Sequence, residues 1–259
     1  MNRRLLAWLS FGALQFCPLT VRGQQINPRM SQRTNVNEQP ILVPDPPPDV
    51  RRGPGAVVSI RELGIPDGAK QALKKGLERL GKDDPAGSLV YLQRAVSEFS
   101  GFYEAYYAMG VAHLCLKHHE EAERAFQQSI DNSGGHYAAP HFGMAFLFCD
   151  QQKYAEAEPL ILKGMELSPG FSAGYFTLAW AQFGLGRLDD AEKNAREAIV
   201  RVPALAPAHL LLAKVYDHRS DYSAELAELD AYLRLEPNGA AREKVQLHRE
   251  SIVKRLTTP

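Results

Sequence analysis

From residue 69 onward the chain repeats itself at a spacing of 34 residues, once 35, in five segments that begin near Ala69, Tyr103, Ala138, Ser172 and Ala206. A period of that length commits a chain to an array of small supersecondary units. One such unit cannot bury its own apolar face, so stability comes from stacking on its neighbours. Each segment opens with an apolar helical stretch, turns through a few polar residues, and continues into a second helical stretch. The pairs Met109-Gly110, Met144-Ala145, Leu178-Ala179 and Leu212-Ala213 recur at one phase of the first stretch. The small residues Ser88, Ala122, Ala157 and Ala191 recur in the second, with Glu225 as the exception. Four places later stand Leu92, Phe126, Ile161 and Leu229, with an undersized Ala195 in the fourth segment. A small residue on each helix lets two backbones approach, and the large one fills the gap beside them. Pro169, Pro203 and Pro237 close their segments, since proline cannot continue a helix and restricts the residue before it. The third segment carries one inserted residue around 134–138, and Pro140 is placed at the start of its first helix.

These residues resemble the tetratricopeptide repeat (TPR) of bacterial exported proteins. The run from Leu178-Ala179 through Gly186-Arg187-Leu188-Asp189-Asp190-Ala191-Glu192 to Pro203 is similar to its consensus. Departures gather in the first repeat, where Lys75 replaces a large apolar residue and Ser100 the closing proline. The resemblance implies an all-α fold: a solenoid of about five helix-turn-helix repeats (69–102, 103–137, 138–171, 172–205 and 206–239) wound as a right-handed superhelix. Residues 240–256 place Ala241, Val245, Leu247, Ile252 and Leu256 among Arg and Glu, as a capping helix over the last repeat requires.

The first 68 residues have a different composition. Arg3 and Arg4 precede the apolar run Leu5–Phe16, and a more polar stretch ends at Val21-Arg22-Gly23, so residues 1–23 read as a signal peptide cleaved before Gln24. The apolar run is shorter than the ~20 residues needed to span a bilayer, so no membrane span is expected once the signal is removed. Residues 24–56, with the block Pro44-Asp45-Pro46-Pro47-Pro48, bury too little apolar area to order themselves and read as a disordered linker. An extended lead-in follows at 57–68. The expected location is outside the cytoplasm, periplasmic or secreted.

In the TPR family the first helices line a concave groove that holds ligands. Carried over by position, the resemblance assigns to that groove Tyr107, Val111 and Leu114 from repeat two, and Phe142 and Phe146 from repeat three. It adds Phe176, Trp180 and Phe183 from repeat four and Lys214 from repeat five. The centre is therefore aromatic. An aromatic side chain buries ~150–250 Å², and six of them facing water would exceed what soluble monomers usually expose. Three readings stay open: the rings pack on one another, they receive a polypeptide partner, or Val57-Val58-Ser59-Ile60, or the linker before it, folds back over them. Lys, Arg and Asn clamps for acidic chaperone tails are absent from these positions, where Val111, Leu114, Phe142 and Phe146 stand.

Other functions find little support. Thirty basic and thirty acidic side chains cancel, so the basic excess of a nucleic-acid binder is missing. His118-His119-Glu120-Glu121 lacks the second histidine of a zinc-protease helix and reads as a solvated turn. His141 and His209 read as packing residues. Asp83-Asp84 and Asp189-Asp190 read as equivalent helix-starting turns. Gly184 and Gly186 sit at a helix-to-helix turn rather than after a strand. No catalytic residue, metal site or cofactor is expected. Cys115 and Cys149 would survive signal removal, and both map to the groove, which leaves a disulfide between them open. A bond needs Cα atoms within about 7 Å, closer than neighbouring helix axes usually lie. The expected function is a non-catalytic scaffold or adaptor for a protein or peptide partner, with self-association through the end repeats also open. The alternative is a recognition or regulatory subunit of a cell-envelope enzyme complex.

Overall fold

The computed structural model describes residues 64–239 and 241–257. The expected signal, the linker and most of the lead-in lie outside the described residues. Among these residues the fold is all-helical, with eleven α-helices and no strand. They are α1 (Asp67–Leu80), α2 (Pro85–Glu98), α3 (Tyr103–Cys115), α4 (His119–Asn132), α5 (Ala138–Asp150) and α6 (Tyr154–Leu167). They continue as α7 (Ser172–Gly184), α8 (Leu188–Arg201), α9 (Ala206–Arg219), α10 (Tyr222–Leu235) and α11 (Arg242–Thr257). Two compact units divide them: residues 64–147 with 163–169, and residues 148–162 with 170–257.

Every helix pair turns in one way. A residue with positive φ stands at Asp83, Lys117, Gln152, Gly186 and Ser220, once in each turn and at the period of the repeat. The residue after each donates its backbone N–H five residues back: Asp84 to Arg79, His118 to His113, Lys153 to Phe148, Arg187 to Gln182 and Asp221 to Tyr216. This left-handed C-terminal cap satisfies carbonyls that a helix end would otherwise leave unpaired. Four of the five cap residues are not glycine, although a side chain there costs roughly 1–2 kcal/mol. Such a site leaves no mark in composition.

The same register corrects the expectation about acidic pairs. Asp84 is an N-cap whose carboxylate accepts from Gly87 N–H at 2.8 Å, and Asp221 caps α10 by accepting from Ala224 N–H at 3.0 Å. The residue in that place of the fourth repeat is Arg187, and Asp189 and Asp190 lie inside the first turn of α8. There they act on the helix dipole rather than as caps. Pro140 also falls within α5, which starts at Ala138.

In the first unit, the fully buried Phe126 of α4 is the large residue of its repeat. Its ring lies against both Gly110 of α3 and Gly143 of α5; a Cβ at those positions would stand 2.5 and 2.6 Å from ring atoms. Leu92 fills the equivalent gap beside Gly76. Ser129 is buried because its hydroxyl donates to the Tyr103 carbonyl at 2.7 Å, joining α4 to α3. Ile65, Ala69 and Ala72 pack with Ala95, Val96, Phe102 and Ala105 at the start of the described chain.

In the second unit the undersized Ala195 sits in a cluster with Leu211, Leu212 and Tyr216 of α9. Glu225, the one charged residue at a small-residue position, is buried and hydrogen-bonded to His248 of α11. It therefore ties the last repeat to the helix that covers it. Around it Leu229, Tyr232, Val245 and Ile252 form the terminal core. Leu247 and Leu256, expected on the covering side, are instead 60% and 50% exposed among the charged residues of α11's outer side, because only Ala241, Val245 and Ile252 turn onto the last repeat.

Candidate partner-binding faces

The nine groove positions separate by burial once each unit is taken by itself. In the first unit Phe142 and Phe146 are only 4% and 7% exposed. The Phe142 ring lies against Gly164 of α6, where a Cβ would come within 2.8 Å of it. Tyr107 is half-buried and holds two aromatic partners: Phe126 at 5.9 Å and Tyr137, edge-on, at 5.8 Å between ring centroids. Tyr103 closes that cluster at 4.9 Å from Tyr137. Burial raises the phenol pKa of both Tyr107 and Tyr137 well above its ordinary value. Val111 and Leu114 are half-buried, and Val111 packs with Cys115 against Leu80, Leu92, Ala108 and Ala112. In this unit the buried rings follow the first of the three readings, packing inside the repeats. Tyr107, Phe142 and Phe146 serve packing, because the glycines opposite Phe126 and Phe142 make room for rings to turn inward.

Tyr137, in the segment between α4 and α5, was not singled out in the sequence. The signal for it is the one-residue insertion, which brings an extra aromatic to the head of α5. His141 beside it is 6% exposed. Its Nε2 lies 3.4 Å from the Gly135 carbonyl and its Nδ1 is buried without a hydrogen-bond partner. Burial lowers its pKa below the ordinary histidine value.

In the second unit Phe176, Trp180, Phe183 and Lys214 are all half-buried. Phe176 and Trp180 lie 6.4 Å apart, and Phe183 meets His218 of α9 edge-on at 5.3 Å. All three rings of α7 pack against the cluster of Leu211, Leu212 and Tyr216. Burial lowers the pKa of Lys214, with no carboxylate opposing it. Behind this face a polar network joins α8 to α9. Glu192 accepts from Tyr216 Oη at 2.6 Å and Arg196 Nε at 2.9 Å, and also from Arg219, which reaches Asp189 as well. These donors hold the Glu192 carboxyl down at about 2.

The histidines of this unit are engaged too: His209 Nδ1 lies 2.7 Å from a Glu228 carboxylate oxygen. Cys149 is a free, buried thiol, so the pairing with Cys115 left open by the sequence is not made. Burial raises its pKa to about 12, which keeps it protonated and unreactive. Among the described residues no group of three or more His, Cys, Asp or Glu side chains is placed to hold a metal. No helix among them is long and apolar enough to cross a membrane.

The helix pairs and their shared turn recur at the sequence period, and the tetratricopeptide repeat family model matches residues 73–137 and 176–240, half of the chain. The chain belongs to the tetratricopeptide repeat family. No curated protein sequence matches it significantly.

Solved TPR structures share the fold at low identity. PilW, a widely conserved type IV pilus biogenesis factor, is 12% identical with a TM-score of 0.62, over 73% of this chain and 94% of that one. TTC0263, a thermophilic TPR protein of Thermus thermophilus, is 15% identical with a TM-score of 0.59, over 71% and 98%. YrrB, described as a TPR protein with an unusual peptide-binding site, is 17% identical with a TM-score of 0.53, over 71% and 92%. TPR proteins generally act as scaffolds for protein interaction.

Proposed function

We propose that this TPR protein is a non-catalytic scaffold that takes a polypeptide partner on the first-helix faces of its repeats. We place it outside the cytoplasm, because its first 23 residues have the composition of an export signal. One observation carries the binding reading. Val111, Leu114, Phe176, Trp180, Phe183 and Lys214 remain half-buried, while the large residues between paired helices, such as Phe126, Ile161 and Leu229, are fully enclosed. In the second unit the partly covered Phe176, Trp180 and Phe183 of α7, with Lys214 of α9, give anchors for a peptide and a group to orient it. The peptide-binding site named for YrrB and the pilus-biogenesis role named for PilW belong to those proteins. They support this reading only by showing that the shared fold is used for such work.

Packing decides which variants test the idea. Phe142 and Phe146 support the interior, so replacing them would unfold the first unit. Val111→Ser, Phe176→Ser and Trp180→Ser change half-buried positions instead. Purification of the tagged chain from its native envelope fraction should recover a defined partner with wild type and lose it with these variants at unchanged helicity. Recovery of the same partner by all of them would refute the assignment of the surface.

A further inference from the structure

In the first unit the segment 133–137, where the third repeat carries its extra residue, joins α4 to α5 through two left-handed glycines. Gly134 has φ of 62° and Gly135 of 75°. A Cβ at Gly135 would meet nothing within 4 Å, and one at Gly134 would approach only the His136 ring, at 3.7 Å. Gly134 N–H donates to the Asp131 carbonyl at 3.1 Å and Gly135 N–H to the Ile130 carbonyl at 2.9 Å, which ties the glycines to α4. Beyond them the ties are longer: His136 N–H reaches the Ser133 carbonyl at 3.4 Å, and the Gly135 carbonyl lies 3.4 Å from His141 Nε2 of α5. Glycine moves between left- and right-handed backbone at no steric cost, so the pair can act as a hinge. The segment ends in Tyr137, whose ring rests on Tyr103 and, edge-on, on Tyr107 of α3. Tyr137 therefore lies as a cover over the first-helix face at Tyr107.

His141 is the side chain that joins this segment to α5. It is buried, its Nε2 faces the Gly135 carbonyl, and its Nδ1 has no hydrogen-bond partner. That setting suits a neutral imidazole with its proton on Nε2. A second proton would place a buried charge on the ring and a donor at Nδ1 with nothing to receive it. The charged groups around it do not offset this. Lys163 of α6 faces the ring, repels a second positive charge, and is itself held by Glu166 at 3.0 Å. Asp131 of α4 is exposed and bound by Gln127, His136 of the segment is exposed, and Glu104 of α3 acts on the Tyr137 phenol. Burial and Lys163 together lower the His141 pKa, so a conformation in which the ring reaches water takes up the proton first and gains population as pH falls below 6.5.

We infer that protonation of His141 in mild acid swings the segment 133–137 outward on Gly134 and Gly135, lifts Tyr137 off Tyr107, and so uncovers a partner-binding surface on the first unit that is closed at neutral pH. That the uncovered surface binds a partner rests on the proposed function above. The opening itself does not, and it is measured on the chain alone. Amide exchange of residues 134–138 in the full chain, normalised to intrinsic rates, should lose protection at least about threefold between about pH 7.5 and pH 5.5. Amides of α4 around Phe126 and Ser129 should keep theirs. His141→Gln, which can still donate to Gly135 but does not titrate, should hold the segment's protection flat. His136→Gln, in the same segment, should respond as wild type does.

Protection that does not change in wild type would overturn the inference, as would a response that survives His141→Gln or disappears in His136→Gln. Equal loss in α4 would mean that the whole unit unfolds, and would overturn it too. A second reading needs no variant: the nuclear Overhauser contact between the Tyr107 and Tyr137 rings should vanish with the midpoint of the His141 ring titration, and a midpoint that follows His136 instead would refute the switch. The two proposals fail separately. If the segment stays closed in acid while a partner is still recovered, only the present inference falls. If the segment opens but no partner is recovered at either pH, the scaffold reading falls and the opening stands.

Discussion

Replacing Gly110 with Ala tests the central packing device of the repeats. In an exposed helix interior this change is stabilising, by about 1 kcal/mol. At Gly110 the new Cβ would lie 2.5 Å from the Cδ1 and Cε1 atoms of Phe126, well inside contact distance. The ring cannot swing aside. It is fully buried and also abuts Gly143, where a Cβ would lie 2.6 Å from Cε1 of the ring. Relief must come from moving α3 away from α4, an overpacking cost of roughly 1–3 kcal/mol. The net expectation is a loss of about 1 kcal/mol, opposite in sign to the propensity effect. Urea denaturation followed by circular dichroism gives the size, and amide exchange in α3 and α4 locates it, since repeat arrays unfold by parts. The double change Gly110→Ala with Phe126→Leu should cost less than the sum of its parts, because the smaller side chain makes room. A more stable Gly110→Ala chain, or additive costs, would refute the reasoning.

The turns give a pair of opposite effects. Gly186 has φ of +77° and nothing within 4 Å of an added Cβ, so Gly186→Ala should cost about 1 kcal/mol through the backbone alone. Lys117→Gly should gain a few tenths up to about 1 kcal/mol at the equivalent position by thermal denaturation. His118→Asp should stabilise α4 by about 1 kcal/mol, because His118 is its N-cap and makes no side-chain cap bond, whereas Asp84 and Asp221 do so for their helices. Glu192 sets an acid response. Its folded pKa, about 2, lies below the ordinary value of 4.5. The stability it contributes is therefore complete above pH 4.5 and is lost as pH falls toward 2, and Glu192→Gln should flatten the urea midpoint across that window. His141 acts in the same direction at higher pH. With its folded pKa lowered below 6.5 by burial, the unfolded chain binds the proton first, so stability falls as pH drops from 6.5, and His141→Phe should remove that slope.

The fold was legible because its determinants recur. Small residues at Ala122, Ala157 and Ala191, and large ones at Leu92, Phe126 and Ile161, stand at fixed spacing and need only one interpretation. Glu225 was visible as an exception, but its cause, His248 of α11, sits outside the repeat and could not be paired with it from spacing. The turn geometry was hidden for a different reason: a left-handed residue can be Asp, Lys, Gln or Ser when the cap bonds around it over-determine the backbone. Site positions were the least legible. Spacing places Tyr107, Phe142 and Trp180 on comparable helix faces, yet the direction of each ring depends on what stands opposite. Gly164 admits Phe142 inward, and Tyr137 covers Tyr107. Trp180 meets no such opening and stays near the surface. Large aromatics facing glycines are thus packing residues, a contrast that becomes visible only when the helices are set against one another.

Photo-crosslinking at single positions tests the binding claim most directly. Benzoylphenylalanine would be placed at Val111 or Trp180 on the first-helix faces, and at Val90 or Val200, which are 70% and 74% exposed on second helices. In cells that express the chain natively, positions 111 and 180 should each capture the same partner polypeptide, and 90 and 200 should not. Capture from 90 and 200 as efficient as from 111 and 180, or none from either first-helix position, would contradict the account.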